Sequence, residues 1–338
     1  MRRTAAGFVF CLCLAGAFTA APRGVSANKL DLAVGRFINC TANGYCYANI
    51  KEYEEFLQEY FFAMTPKIMA PADTLGYSGF YMGLEATLVP IQDAGHYDPD
   101  SLQNTTAWFK GTGPINSAPD AMFVPSLHVR KGLPWSFELG AYLDYLAQSE
   151  VMGIGGEVKW SLFEGYIKGF RGALPNIAAR GSVVRIVGTT DLDVTIVGVD
   201  GSMSRPFAIG GQITLTPYAG FQYLWTCIRT EPITYYDGST FQPMDGKWWD
   251  TTMLSGPNLG RIKLFLGLRL KYELLAIVAE FGWGLKSEWD TAIVRPGDCA
   301  DPNDCTGNEI AARRTYNEQN NASVGNQFQF NFGAGLDF

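Results

Sequence analysis

The sequence predicts an all-β fold: a closed, antiparallel transmembrane β-barrel of about ten strands, with eight or twelve as alternatives, behind a short N-terminal helical segment. Apolar residues recur at every second position in many segments. After residue 27 the chain has no uncharged apolar run of the roughly 18 residues that a transmembrane helix needs, so only strands could cross a membrane. Long connections between these segments fall on one side of the predicted sheet.

The first 27 residues have the layout of a secretory signal peptide. Arg2 and Arg3 precede an uncharged apolar stretch over residues 5–21, and the small residues Val25 and Ala27 favour cleavage after Ala27, with positions 20 and 21 as alternatives. Removing this segment, which holds three of the 26 basic residues, changes the formal net charge from −7 to −10. This acidic balance argues against nucleic acid as a partner.

The last segment of the chain shows the clearest alternation. Its apolar positions are Phe328, Phe330, Phe332, Ala334, Leu336 and Phe338, and polar residues or glycines stand between them. A strand with this pattern puts one face against an apolar medium and the other toward water or polar side chains. A half-buried strand in a soluble sandwich would show the same split, so this strand alone does not demonstrate a membrane.

The ending resembles the C-terminal signal of bacterial outer-membrane β-barrels. The aromatic Phe338 stands last, and Phe328, Phe330, Phe332 and Leu336 precede it in two-residue steps. The resemblance implies that residues 77–338 form such a barrel in the bacterial outer membrane, surrounded by membrane lipid and lipopolysaccharide. It also implies that the barrel-assembly machinery is a partner during biogenesis. It points to no narrower family.

The same alternation recurs upstream. It is clear in residues 80–88, 135–145, 213–221, 262–270 and 275–283, and weaker in residues 123–129, 154–162, 177–187 and 192–198. Together with the last segment these make ten strands, an even number, as single-chain bacterial barrels require. The long connections over residues 90–121, 228–259 and 286–325 then share one side, and short turns at 131–134 and 272–273 share the other. The connection over residues 163–176 is longer than a turn on that side should be.

Residues 28–76 differ in character from the barrel. Asn49 and Glu52 match the spacing of a capping box, and a helical repeat ends at Pro66. The repeat consists of Ile50, Tyr53, Leu57, Tyr60, Phe61 and Met64. We predict one amphipathic helix that either plugs the lumen or its periplasmic mouth, or packs against the rim for stability alone.

The cysteines predict two small disulfide rings. Cys40 and Cys46 have the same spacing as Cys299 and Cys305, and export would place them where disulfides form, with Cys227 outside both rings. Zinc is the competing interpretation. It is disfavoured because the chain has only two histidines and no C-x-x-C motif, so no metal and no cofactor are predicted.

The face predicted to line the lumen carries both signs of charge. Its members are Glu85, Arg130, Glu138, Asp144, Glu157, Lys159, Arg180, Asp193, Arg261, Lys263, Arg269, Lys271 and Glu280. In a narrow barrel these side chains can pair across the interior, which favours a closed, salt-bridged core. The competing hypothesis is an anion path along the four cations of residues 261–271.

The leading functional prediction is a transport or pore-type barrel for small solutes or hydrophobic compounds, plugged by its N-terminal segment. One alternative is a structural or surface-interaction barrel that acts through long extracellular loops. The other is an outer-membrane hydrolase, with Ser126 and His128 as the catalytic candidates because their spacing puts both on one strand face. Such a motif is common by chance, so an enzyme is disfavoured. His96, in an acidic loop, could bind a cation, although such loops are usually only solvated.

Overall fold

The computed structural model describes residues 28–40, 46–48, 50–91, 108, 111–112, 120–163, 175–189, 191–231, 233–236, 241–244, 259–289 and 322–338. The predicted signal peptide, His96, Cys299 and Cys305 lie outside these residues. Ten strands of the described residues form the barrel. They are β1 Phe80–Pro90, β2 Ala121–Leu133, β3 Phe137–Tyr145, β4 Met152–Phe163, β5 Asn176–Val187, β6 Leu192–Ser204, β7 Ile213–Thr230, β8 Gly260–Tyr272, β9 Leu275–Gly284 and β10 Gln327–Asp337.

The ten strands form a closed antiparallel meander. Each strand pairs with the next one along the chain, from β1 with β2 to β9 with β10. The sheet closes because β10 also pairs with β1, where Phe330 lies opposite Leu88 and Leu336 lies opposite Met82. Closure leaves the barrel no unpaired edge. The predicted all-β barrel and its strand count of ten are confirmed.

The two ends of the barrel differ in their connections. The connections β1–β2, β7–β8 and β9–β10 lie at one end, called the long-loop end below. The connections β2–β3 and β8–β9, together with the end of β10, lie at the opposite end, called the short-turn end. This grouping agrees with the one predicted from the sequence.

Trp135 corrects one detail of the predicted strands. It was expected to begin the outward stripe of β3, but it lies in the turn Pro134–Ser136 with a φ of 59° and is 85% exposed. Pro134 supplies no N–H to a ladder, so the pairing stops there and β3 begins at Phe137.

The outer wall of the barrel is apolar and the inner face is largely polar. Leu84, Leu266 and Phe332 are 70%, 61% and 58% exposed, whereas their inward neighbours Glu85 and Asn331 are buried. A continuous apolar wall around a closed barrel is the surface that hydrocarbon requires, because water would leave it unfavourably hydrated. The barrel therefore has the two-sided construction of a membrane-spanning wall.

Asp193 corrects a second detail. It was expected in the lumen, but it lies on the outward face of β6 and pairs with the outward Arg185. The inward positions of this part of β6 are the buried apolar residues Leu192, Val194 and Ile196. These residues face apolar groups inside the barrel rather than water. A prediction based only on residue polarity therefore reversed the inner and outer faces of this strand.

The N-terminal segment has its own small elements. A short antiparallel pair joins Ile38–Cys40 to Cys46–Ala48, and the helix α1 follows at Ile50–Phe62. The predicted amphipathic helix is therefore present. Cys40 lies opposite Cys46 in the backbone register, but their side chains are outside the described part of the chain, and both disulfides stay predictions. Among the described residues, no helix is long and apolar enough to cross a bilayer.

Candidate functional site in the barrel lumen

The N-terminal segment passes through the lumen from one end to the other. Helix α1 lies at the long-loop end, where the hydroxyl of Tyr53 is 2.9 Å from that of Thr230 at the end of β7. Residues 63–79, called the strap below, then run toward the short-turn end. There the backbone N–H of Leu75 donates to Glu138, at the start of β3. The strap continues directly into β1 at Phe80.

The half of the lumen near the long-loop end is an apolar core built around α1. The helical stripe predicted from the sequence is fully buried at Tyr53, Leu57, Tyr60 and Phe61. It packs in one cluster with inward residues of the barrel strands and their flanks, including Val124, Val184, Val194, Ile196, Leu224, Ile228, Leu259 and Val324. Burying each large apolar side chain stabilises such a core by about 1.5–3 kcal/mol. Helix α1 is therefore a core element of the barrel.

Polar groups fix α1 at its edges. The hydroxyl of Tyr60 donates to the carbonyl of Leu30 at 2.8 Å, and burial raises the pKa of this hydroxyl. The carboxylate of Glu55 accepts the backbone N–H of Ser323 at 2.8 Å, and burial raises its pKa. Residues before the helix bind the same end of the barrel, since the N–H of Leu30 donates to the carbonyl of Gln148 in the β3–β4 turn.

Cations of the lumen satisfy the carbonyl groups of the strap. Lys263 donates to the carbonyl of Pro66 at 3.1 Å, and Arg180 donates to the carbonyl of Lys67 at 2.9 Å. Lys159 donates to the carbonyls of Pro71 and Asp73 at 3.3 and 2.9 Å. The strap has no regular secondary structure, so its buried backbone depends on such side chains for hydrogen bonds.

Acceptors of the lumen satisfy the N–H groups of the strap in the same way. The N–H of Met69 donates to Glu280 at 2.9 Å, and that of Leu75 donates to Glu138 at 3.1 Å. The N–H of Ala72 donates to the hydroxyl of Ser204 at 3.0 Å. Side chains from several strands thus supply the hydrogen bonds that the backbone of a neighbouring β-strand would otherwise provide.

The predicted lumenal charges also pair with one another. Arg180 binds Glu157 at 2.6 Å and Asp200 at 2.8 Å, and Lys159 binds Glu138 at 3.1 Å. The strap contributes its own cation, because Lys67 binds Asp144 at 2.9 Å. The side chains of all these pairs are at most 5% exposed, so the charges compensate one another away from water.

The four cations of β8 each have protein partners. Arg261 donates to the carbonyls of Gly284 and Leu285, and its guanidinium lies 4.6 Å from the ring centre of Phe62. Lys263 reaches the strap, as described above. Arg269 and Lys271 both pair with Asp337 near the short-turn end, where Lys271 is 39% exposed. In this arrangement the four cations bind protein groups instead of lining an open path.

The two catalytic candidates lie on one face but do not form a nucleophile–base pair. The hydroxyl of Ser126 accepts a hydrogen bond from Lys67 at 3.0 Å. His128 directs Nδ1 toward Glu85 at 3.1 Å and Nε2 toward Glu157 at 3.4 Å. Both residues are buried against the filled lumen. A serine acting as a nucleophile would need its base within hydrogen-bond reach and room for a substrate.

Sequence reasoning did not identify two residues of this network. Lys67 lies after the predicted helix, and the plug hypothesis for residues 28–76 named no lumenal partner for it. Asp200 lies in β6 beyond the weak alternation that was recognised, although it is directly opposite Arg180 in the β5–β6 register. With Asp193 predicted inward, the same alternation would have placed Asp200 on the outer face, so only the strand register brings Asp200 to Arg180.

No protein-family model matches this chain, and no curated protein matches it. Two solved structures of Ail, the attachment invasion locus protein of Yersinia pestis, are similar to it. Ail in complex with the heparin analogue sucrose octasulfate has 9% sequence identity, and Ail alone has 10%. Each comparison covers 78% of this chain and 99% of Ail, with a TM-score of 0.23. A TM-score this low does not establish a shared fold. The assignment of a closed barrel is therefore based on the strand pairing described above.

Proposed function

We propose that this protein is a sealed outer-membrane β-barrel that acts through its long-loop end, as a surface-interaction protein. The observation that carries the proposal is the lumen filled from end to end by α1 and the strap. A solute path would have to cross both the apolar core around α1 and the buried ion pairs around the strap.

The proposed orientation places the long-loop end outside the cell. Outer-membrane barrels keep short turns on the periplasmic side and long loops on the outer side. The alternating C-terminal strand resembles an assembly signal of outer-membrane barrels. This resemblance supports a location in the outer membrane and a role for the assembly machinery. In this orientation Leu30 and the turn that it binds lie on the outer face.

The test is the conductance of the refolded mature protein in a planar bilayer, after heat-modifiable migration has shown a folded barrel. The proposal expects no steady current. Steady ohmic current from the intact wild-type chain would overturn it. Hydrogen exchange in the same preparation adds a second readout, because a sealed lumen should protect the backbone N–H groups of Met69, Ala72 and Leu75 as strongly as those of the barrel strands.

Gated transport is the second candidate. The observation that favours it is that the strap binds the barrel mainly through polar side chains, which a ligand or partner could replace. It requires the strap to leave the lumen while the barrel stays folded. Exchange of the strap N–H groups far ahead of those of the barrel strands, together with intermittent current, would favour this candidate over the sealed barrel.

A hydrolase is not favoured, because Ser126 and His128 have other partners. The His128→Ala variant tests this directly, since a hydrolase built on this residue would lose activity on ester or peptide substrates.

A further inference from the structure

Three charged residues lie side by side on the outer wall near the long-loop end. Arg185 of β5, Asp193 of β6 and Arg229 of β7 all point outward, and Arg229 lies opposite Asp193 in the β6–β7 register. Arg185 forms an ion pair with Asp193 and donates to the hydroxyl of Thr195 at 2.8 Å. The side chain of Arg185 is nevertheless 49% exposed, and Arg229 is exposed as well. We call these three residues the rim cluster.

The wall next to the rim cluster changes from charged to aromatic and then to apolar. Along β7, Tyr223 and Trp225 point outward, with ring centres 4.5 Å apart, between the rim cluster and the exposed Phe221. Aromatic residues form girdles where the apolar band of a membrane barrel meets the headgroups. Arg229 is four residues beyond Trp225, which is about 13 Å along a strand. The rim cluster therefore lies at the level of the lipid headgroups.

We propose that Arg185 and Arg229 bind a phosphate group of a membrane lipid in the leaflet at the long-loop end. Arginine presents a planar fork of donors that matches phosphate oxygens. The two outward arginines lie on β5 and β7, on either side of Asp193 in β6. The acyl chains of the same lipid would lie on the exposed apolar residues Val183 and Val199 of β5 and β6. Asp193 competes with the phosphate for Arg185, so it weakens the site.

This inference rests on the proposed membrane orientation, but its test does not depend on conductance. The full mature protein in detergent is titrated with phosphatidylglycerol and with diacylglycerol of the same acyl chains, and bound lipid is counted by native mass spectrometry. We expect phosphatidylglycerol to bind more tightly than diacylglycerol. Arg185→Gln and Arg229→Gln should each weaken its binding about fivefold, the usual effect of one arginine at an anionic membrane surface. Asp193→Asn should strengthen it.

Arg205→Gln is the matched control. Arg205 is also exposed, but it lies just after β6 at the short-turn end, with its guanidinium 5.7 Å from the ring centre of Phe207. Its replacement should leave phosphatidylglycerol binding unchanged. Wild-type binding by the double Arg185/Arg229 variant, an equal loss on Arg205→Gln, or displacement of the lipid by an equal concentration of inorganic phosphate would overturn the proposal. A conducting wild-type protein with the expected lipid pattern would overturn only the sealed-barrel function.

Discussion

Glu280 connects the strap to the barrel, and its removal should release the strap locally. Its Oε2 accepts the N–H of Met69 at 2.9 Å and the hydroxyl of Tyr218 at 2.8 Å, and its Oε1 accepts the side-chain N–H of Asn331 at 3.0 Å. All three donors belong to buried residues. Glu280→Leu removes every acceptor. Each buried donor left unsatisfied costs about 1–3 kcal/mol, so the three together cost about 3–9 kcal/mol.

The assay is hydrogen exchange of the strap in detergent-solubilised protein. Of these three hydrogen bonds, only that of Met69 joins the strap to Glu280, so its share of about 1–3 kcal/mol predicts that the Met69 N–H exchanges about 5- to 150-fold faster in the Glu280→Leu variant. Glu288→Leu is the control, because Glu288 is an exposed carboxylate beyond the end of β9 that pairs with Lys286. Glu280→Gln keeps one acceptor oxygen and should fall between the two. Unchanged protection of Met69 in Glu280→Leu would refute the view that lumenal side chains hold the strap.

Three further predictions concern α1 and the path of the chain. Phe56→Ala should lower the free energy of unfolding by about 3–5 kcal/mol, because its buried ring contacts that of Trp108 with 5.1 Å between their centres; a loss under 1 kcal/mol in denaturant titrations would contradict this. Burial raises the pKa of Glu55 above its ordinary value of 4.5, so the folded state binds more protons at this carboxyl group than the unfolded state does. The folded state therefore loses stability as the pH rises from the ordinary pKa to the raised pKa. Glu55→Gln should remove this component from thermal unfolding measured between pH 4 and pH 7, and an unchanged profile would argue against it. An epitope inserted before Asn28 should bind antibody on intact cells, whereas one inserted at the Gly210–Gly211 turn should require permeabilised cells; the reverse pattern would contradict the proposed orientation.

The barrel was predictable because its signal is local. In β1 and β10 the apolar outer residues and polar inner residues alternate at the two-residue period of a strand. The inner and outer faces of each of these strands can therefore be assigned from its own residues. The connection lengths added the long-loop and short-turn ends without any tertiary information. The helical spacing of Tyr53, Leu57 and Tyr60 likewise reported one buried face of α1, although it did not say against what that face packs.

The contents of the lumen were decided only by the tertiary structure. The strap has no periodicity, since its hydrogen bonds go to side chains from distant strands such as Lys263 and Glu280, and no local pattern records such partners. The same reason explains β6, whose inward Val194 and Ile196 are apolar because they face the core around α1. The sequence by itself determined a barrel with an apolar outside and a charged inside. Whether those charges line a channel or hold a segment of the chain depends on contacts between residues far apart in sequence, which only folding brings together.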